Sequence, residues 1–149
     1  MFNACVTKNG KVYMCGYNMS NFISSEITSR GITCDPFNIT VPENHKALNV
    51  WCSPKHYIFF VTFEKNDGNK VTKKISGSNA IPCGTSEAEY NKWMDLELPV
   101  NKYFTHISTE KDLAIGIDQD QNLWVFGVFT KNFDDAQRTQ ELFEGYDPT

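Results

Sequence analysis

The sequence has no Cys-x-x-Cys, although it holds five cysteines: Cys5, Cys15, Cys34, Cys52 and Cys83. An odd count without ligand spacing argues against a disulfide framework or a zinc site and fits a reducing, intracellular setting, cytoplasmic or nuclear. Long apolar runs are missing too. The longest, YIFFVTF from Tyr57 to Phe63, is far too short to cross a bilayer, so no membrane span is expected. The amino terminus MFNACVTKNGK lacks the apolar core of a signal peptide. The sequons at Asn18 and Asn38 would matter only in a secreted protein.

Basic excess is absent as well. The net charge is −4, and residues 134–149 account for all of it, with Asp134, Asp135, Glu141, Glu144 and Asp147 against Arg138. The remainder is neutral and offers no basic stripe for a phosphate backbone, so no nucleic-acid partner is expected. Lys70, Lys73 and Lys74 read as a solvated strand or loop.

The chain also lacks G-x-S-x-G, a P-loop, H-E-x-x-H and G-x-G-x-x-G, and its histidines, His45, His56 and His106, are scattered. Asp118-Gln-Asp120-Gln-Asn122 opens like a calcium loop. It has no glycine at the sixth position and no closing glutamate, which leaves a hairpin turn. Cys52 stands near His56 but inside an apolar strand, where a cysteine behaves as a small hydrophobe. No catalytic residue, metal ligand or cofactor is expected.

What is present is strand. The chain is 40% hydrophobic with 11 Phe, 6 Tyr and 3 Trp, the profile of a folded domain with one sizeable core. The pattern predicts strands over 2–7, 11–16, 47–52, 57–64, 70–76, 103–108, 113–118 and 122–129, and a short one around 39–41. Asn9-Gly10 and Asp67-Gly68 mark hairpin turns. Ser86 and Glu89 form a capping box, which predicts one short helical insertion from Ser86 to about Asp95 with Tyr90, Trp93 and Met94 on one face. A second short helix is expected from Asp134 to a stop at Gly145.

One phrase recurs: a strand, a polar turn, a second strand and a closing glycine. The copies end at Gly16, Gly77 and Gly127, in steps of 61 and 50 residues, which are propeller-blade sizes. In KVYMC and LWVF residues of both parities are apolar, as in strands buried on both faces. The expectation is all-β: a partial β-propeller of about three antiparallel blades over residues 1–46, 47–101 and 102–149, with an acidic tail at 134–149. A β-sandwich is the alternative.

The phrase resembles the repeat of the regulator of chromosome condensation family. In that family it follows a strand ending Cys-Gly-x-x-His. Cys52-Ser53-Pro-Lys-His56 stands in that place, with Ser53 for the glycine, and Lys111 replaces the histidine in the last copy. The family's tryptophan before the closing glycine is Cys15, Ser76 and Phe126 here. Its Pro-x-x-Val element is echoed at Val41-Pro42-Glu43 and Leu98-Pro99-Val100. The resemblance covers about two and a half repeats. It implies structural roles for Gly10, Gly16, Gly68, Gly77, Gly127 and His56, the last as a turn-stabilising hydrogen bond.

The family's fold is a seven-bladed propeller, and three blades would leave open faces. The chain is then a fragment, or is covered by another protein chain, by self-association, or by its own insertions. The expected function is a non-catalytic protein–protein interaction module, with Tyr90, Trp93 and Met94 as candidate partner-binding residues or as a cap. The alternatives are a guanine-nucleotide exchange factor for a small GTPase, which some family members are, and an enzyme of unrecognised type.

Overall fold

A computed structural model describes residues 2–17, 32–53, 58–76, 92–96, 98–110, 113–127 and 137–138. All regular structure among them is strand. Sheet one holds β1 (Phe2–Val6), β2 (Val12–Tyr17) and β3 (Ile32–Ile39) in the order β1-β2-β3. Sheet two is β4 (His45–Ser53), β5 (Ile58–Lys65), β6 (Lys70–Ser76) and β7 (Met94–Asp95), in chain order. Sheet three is β8 (Phe104–Glu110), β9 (Leu113–Asp118), β10 (Leu123–Gly127) and β11 (Gln137–Arg138), again in chain order. Every neighbouring pair is antiparallel.

The three hairpin turns are superimposable in their bonding. The amides of Thr7, Lys65 and Asp118 donate to the carbonyls of Lys11, Asn69 and Asn122 at 2.9, 2.8 and 3.0 Å. Gly10, Gly68 and Gln121 donate back to the first residue of each turn at 2.9, 2.9 and 3.0 Å. These same three residues carry positive φ, +82°, +83° and +66°. Only Gly adopts that region without steric cost, so the third copy holds Gln121 under mild strain. A second turn also repeats. His45 donates to Pro42 and Lys102 to Pro99 at 3.2 and 3.0 Å, with Asn44 and Asn101 at φ +60° and +64°. These are the two proline-containing echoes of the sequence.

The turns correct the register of the repeat. From Gly10 to Gly68 to Gln121 the steps are 58 and 53 residues, not 61 and 50. Strand pairing agrees: Phe2 faces Gly16, Phe60 faces Lys74 and Leu113 faces Gly127. Lys74, not Gly77, therefore stands in the place of Gly16 and Gly127. Gly77 lies outside the described residues.

The sheets stack in series. Val12 and Met14 of sheet one pack against Phe59, Val61, Phe63 and Ile75 of sheet two. Ile58 and Phe60, on the opposite face of sheet two, pack against Phe104, Ile107, Ala114 and Trp124 of sheet three. Six consecutive residues of β5 are buried for this reason. A two-sheet sandwich has no sheet covered on both faces. The architecture is a partial β-propeller of three blades.

Three local expectations change. The helix over Ser86 to Asp95 does not form at its described end, because Met94 and Asp95 pair with Lys74 and Lys73 as β7. An open strand edge on β6 outcompetes a local capping signal. The tail helix fails likewise where it is described: Gln137 and Arg138 pair with Val125 and Trp124 at the edge of sheet three. The strand expected at 39–41 runs instead from Ile32 to Ile39. Pro36 is tolerated there because β3 is an edge strand.

Candidate functional site

Side chains alternate between the two faces of each hairpin, and the corrected register shows which positions correspond. On blade one Ala4, Val6, Val12 and Met14 share a face and join the first core. Their equivalents on blade two are Thr62, Glu64, Thr72 and Lys70, which turn toward blade three. On blade three they are Ile115, Ile117, Val125 and Leu123. No described element covers this last set. Leu123 is 39% exposed where Val12 in the corresponding place is 0% exposed, and Ile115 and Ile117 are each 37% exposed where Ala4 and Val6 are half-buried. Ser108 and His106 of β8 pair with Ile115 and Ile117 and extend the face toward the inner strand.

The covered junctions show how such a face is used. Between blades one and two the contact is apolar, reinforced by Ala47 N–H donating to Gly10 C=O at 3.0 Å. Gly10 leaves no room for a side chain, since a Cβ there would lie 2.1 Å from Cγ of Lys46. Between blades two and three two hydroxyls reinforce the apolar contact. Thr62 Oγ1 donates to Phe104 C=O at 2.7 Å, and Phe104 N–H donates to Thr72 Oγ1 at 2.8 Å. The ring of Phe104 lies over Gly116, where a Cβ would meet it at 2.5 Å. Ile115 and Val125 have no hydroxyl to offer, so the open face resembles the apolar junction.

Neither described candidate partner-binding residue, Trp93 or Met94, lies on this face. Tyr90, His56 and Gly77 lie outside the described residues. Trp93 is part of the first junction: its ring meets Phe63 edge-on at 5.0 Å, and Nε1–H donates to Thr40 C=O at 2.8 Å. It ties blade two to the end of blade one. Met94 is half-buried in β7. The face of blade three went unnoticed in the sequence because its four residues align with the interblade residues of blade one only after the turns fix the register.

Among the described residues Asp118 is the most confined carboxylate, 1% exposed. Burial alone would raise its pKa. Donors from Trp124 Nε1 at 2.9 Å, from Asn122 and from the amide of Asp120 outweigh that and hold it down at about 2. It is a structural anion that ties the turn to Trp124. Lys102 bonds Asp120 and stands 3.6 Å from Asp118, and the bond to Asp120 raises its pKa. Burial pushes the Cys52 thiol up to about 11, against a weaker opposing bond from Ala4, so it stays protonated near neutral pH.

A groove of about 550 Å³ runs beside β6, lined by His45, Lys65, Lys70, Lys73, Asp95 and Lys102 among others. Its charges are largely used internally: Lys73 pairs with Asp95 at 2.8 Å, Lys102 with Asp118 and Asp120, and Lys70 stands over the Tyr103 ring. Among the described residues no three His, Cys, Asp or Glu side chains are grouped to hold a metal ion, and no helix is long and apolar enough to cross a membrane.

No protein-family model matches the chain, and no curated protein matches it either. Among solved structures it is similar to the crystal structure of human WBSCR16, with a TM-score of 0.62 and 12% sequence identity. The match covers 99% of this chain and 37% of that one, so the chain spans little more than a third of its structural neighbour's length. At this identity the likeness is one of fold.

Proposed function

We propose that this chain is a non-catalytic protein–protein interaction module, a partial propeller of the chromosome-condensation-regulator type working in a reducing, intracellular compartment. One observation carries the reading. Ile115, Ile117, Leu123 and Val125 form an apolar, uncharged face whose equivalents on the two preceding blades are interblade surfaces. A continuous apolar face of this kind marks an association surface. The thiols of Cys5, Cys15 and Cys52 are free, which suits the compartment. Rigid blades presenting recognition surfaces are a general use of repeat folds.

A photo-crosslinking residue at Ile117, in the full chain expressed in its own cells, tests the reading. The expected result is a protein adduct from Ile117 and none from the same probe at Asn66, an exposed turn position. No adduct from Ile117 would overturn it. The exchange-factor alternative has a separate assay, release of labelled nucleotide from candidate small GTPases.

A further inference from the structure

The groove beside β6 follows the edge of a strand. Consecutive residues from Asn69 to Lys73 line it, so both faces of β6 border it. β7 pairs with that edge only at Lys73 and Lys74. Beyond β7 the amide of Leu98 donates to Leu96 C=O at 2.8 Å, a tight turn that takes the chain off the edge. Among the described residues no strand lies beside Lys70, Val71 and Thr72 on that side. A free edge of this kind is a template for another extended segment. A smaller cleft of about 220 Å³ shares Asn69, Lys70 and Asn101 with the groove and continues it past the turn.

Four lysines and one carboxylate, Asp95, line the groove. Lys73 is matched by Asp95, and Lys102 by Asp118 and Asp120. Among the described residues Lys65 and Lys70 form no ion pair. The blade framework does not call for these cations. The places of Lys65, Lys70 and Lys73 are held by Thr7, Val12 and Cys15 in blade one and by Asp118, Leu123 and Phe126 in blade three. Val100 also departs from the repeat. It lines the groove at 88% exposure, where the corresponding turn of blade two has Glu43. Lysines on an open edge deter indiscriminate pairing, and the same charges favour a segment that brings carboxylates.

We propose that this groove is a docking site for an extended acidic segment of another protein, which adds to the free edge of β6 in line with β7. Its backbone pairs along Lys70 to Thr72, a carboxylate meets Lys65 and Lys70, and an apolar side chain lies against Val100. None of Ile115, Ile117, Leu123 and Val125 lines the groove, so the site is separate from the blade-three face and does not depend on it.

Panning a displayed library of random short peptides on the purified chain tests this, with the Lys65→Gln/Lys70→Gln chain as counter-selection. The expected peptides alternate Asp or Glu with apolar residues. By fluorescence polarisation the double variant should bind them roughly tenfold more weakly, as two partly solvated charge contacts are lost, and rising salt should weaken binding to the wild type. The Lys65→Arg/Lys70→Arg chain keeps both charges and should bind as the wild type does, which separates lost charge from lost fold. No enriched peptide, peptides without acidic excess, or equal binding by the glutamine variant would overturn the proposal. Methylating alternate backbone nitrogens of a selected peptide should abolish binding, and full retention would overturn the strand pairing. A single-stranded oligonucleotide of matched charge that binds as tightly would overturn the peptide as occupant. A synthetic peptide of residues 139–149 that displaces the selected peptides would give the groove to this chain's own acidic segment and overturn a foreign one. The photo-crosslink from Ile117 reports on the other surface, so each reading fails by its own measurement.

Discussion

The hydroxyl oxygens of Thr62 and Thr72 lie 2.8 Å apart, buried, and between them they hold both backbone polar atoms of Phe104. The protons have one consistent arrangement. Phe104 N–H donates to Thr72, the Thr72 hydroxyl to Thr62, and the Thr62 hydroxyl to Phe104 C=O. Two facing strands of blade two thereby fix the first residue of the inner strand of blade three.

Replacing Thr72 by Val keeps the shape and removes the acceptor of the Phe104 amide. The expected loss is about 1–3 kcal/mol, the cost of stripping a buried polar group of its partner. Thr62→Val should cost a similar amount. The double variant should cost less than the two singles together, because the chain of bonds is broken by either one. Urea midpoints of the four proteins measure this, and strict additivity would refute the arrangement.

Asp118 predicts an acid limb of stability. Its folded pKa of about 2 lies below the unfolded carboxylate value near 3.9. The contribution is therefore fully present above about pH 4 and is lost as the pH falls through about 2. Asp118→Asn should flatten the fall in unfolding free energy between these pH values. Trp124 fluorescence during urea titrations reports it directly, since the indole N–H is bonded to this carboxylate.

Gly10 and Gly68 make a matched pair. Both sit at φ just above +80°, but a Cβ at Gly68 meets nothing within 4 Å while one at Gly10 runs into Lys46. Gly68→Ala should cost about 1–2 kcal/mol, the left-handed penalty alone. Gly10→Ala should cost clearly more, because it also pushes blade one off β4. Gln121→Gly should run the other way, relieving strain with a net effect under about 1 kcal/mol after the added chain entropy. Thermal melts of the three variants settle the order.

Trp93→Phe keeps most of the contact with Phe63 and loses the bond to Thr40, with an expected cost of about 1 kcal/mol. The loss should appear as faster hydrogen exchange at the junction of blades one and two, and not in blade three. Equal loss of protection across all three blades would show that Trp93 does not act at that junction.

The eight principal strands were legible because their signals are local: apolar runs bounded by Asn-Gly, Asp-Gly and a polar five-residue turn. The register of the middle copy was not, since Lys74 occupies the place of a glycine and Gly77 lies three residues further on. The αL turn position was the better anchor, though in the third copy Gln121 hides it. Met94–Asp95 and Gln137–Arg138 are two-residue strands whose only cause is an edge supplied by a distant part of the chain. Composition cannot reveal that. The apolar face of blade three is spelled out as Ile115, Ile117, Leu123 and Val125. Its openness is a property of the stacking order, which no single segment encodes.

Blade two belongs to both hydrophobic clusters, one on each face of β5, while the outer blades each belong to one. Cooperativity along the stack is consequently lopsided. Melting an end blade severs one interface and leaves two blades joined, whereas melting the middle one severs both. Under a pulling force or a slow denaturant ramp the ends should let go first and the middle last. A molecule resting on Ile117 would be fastened to the part of the chain most ready to fray, and would lend it the second interface it lacks.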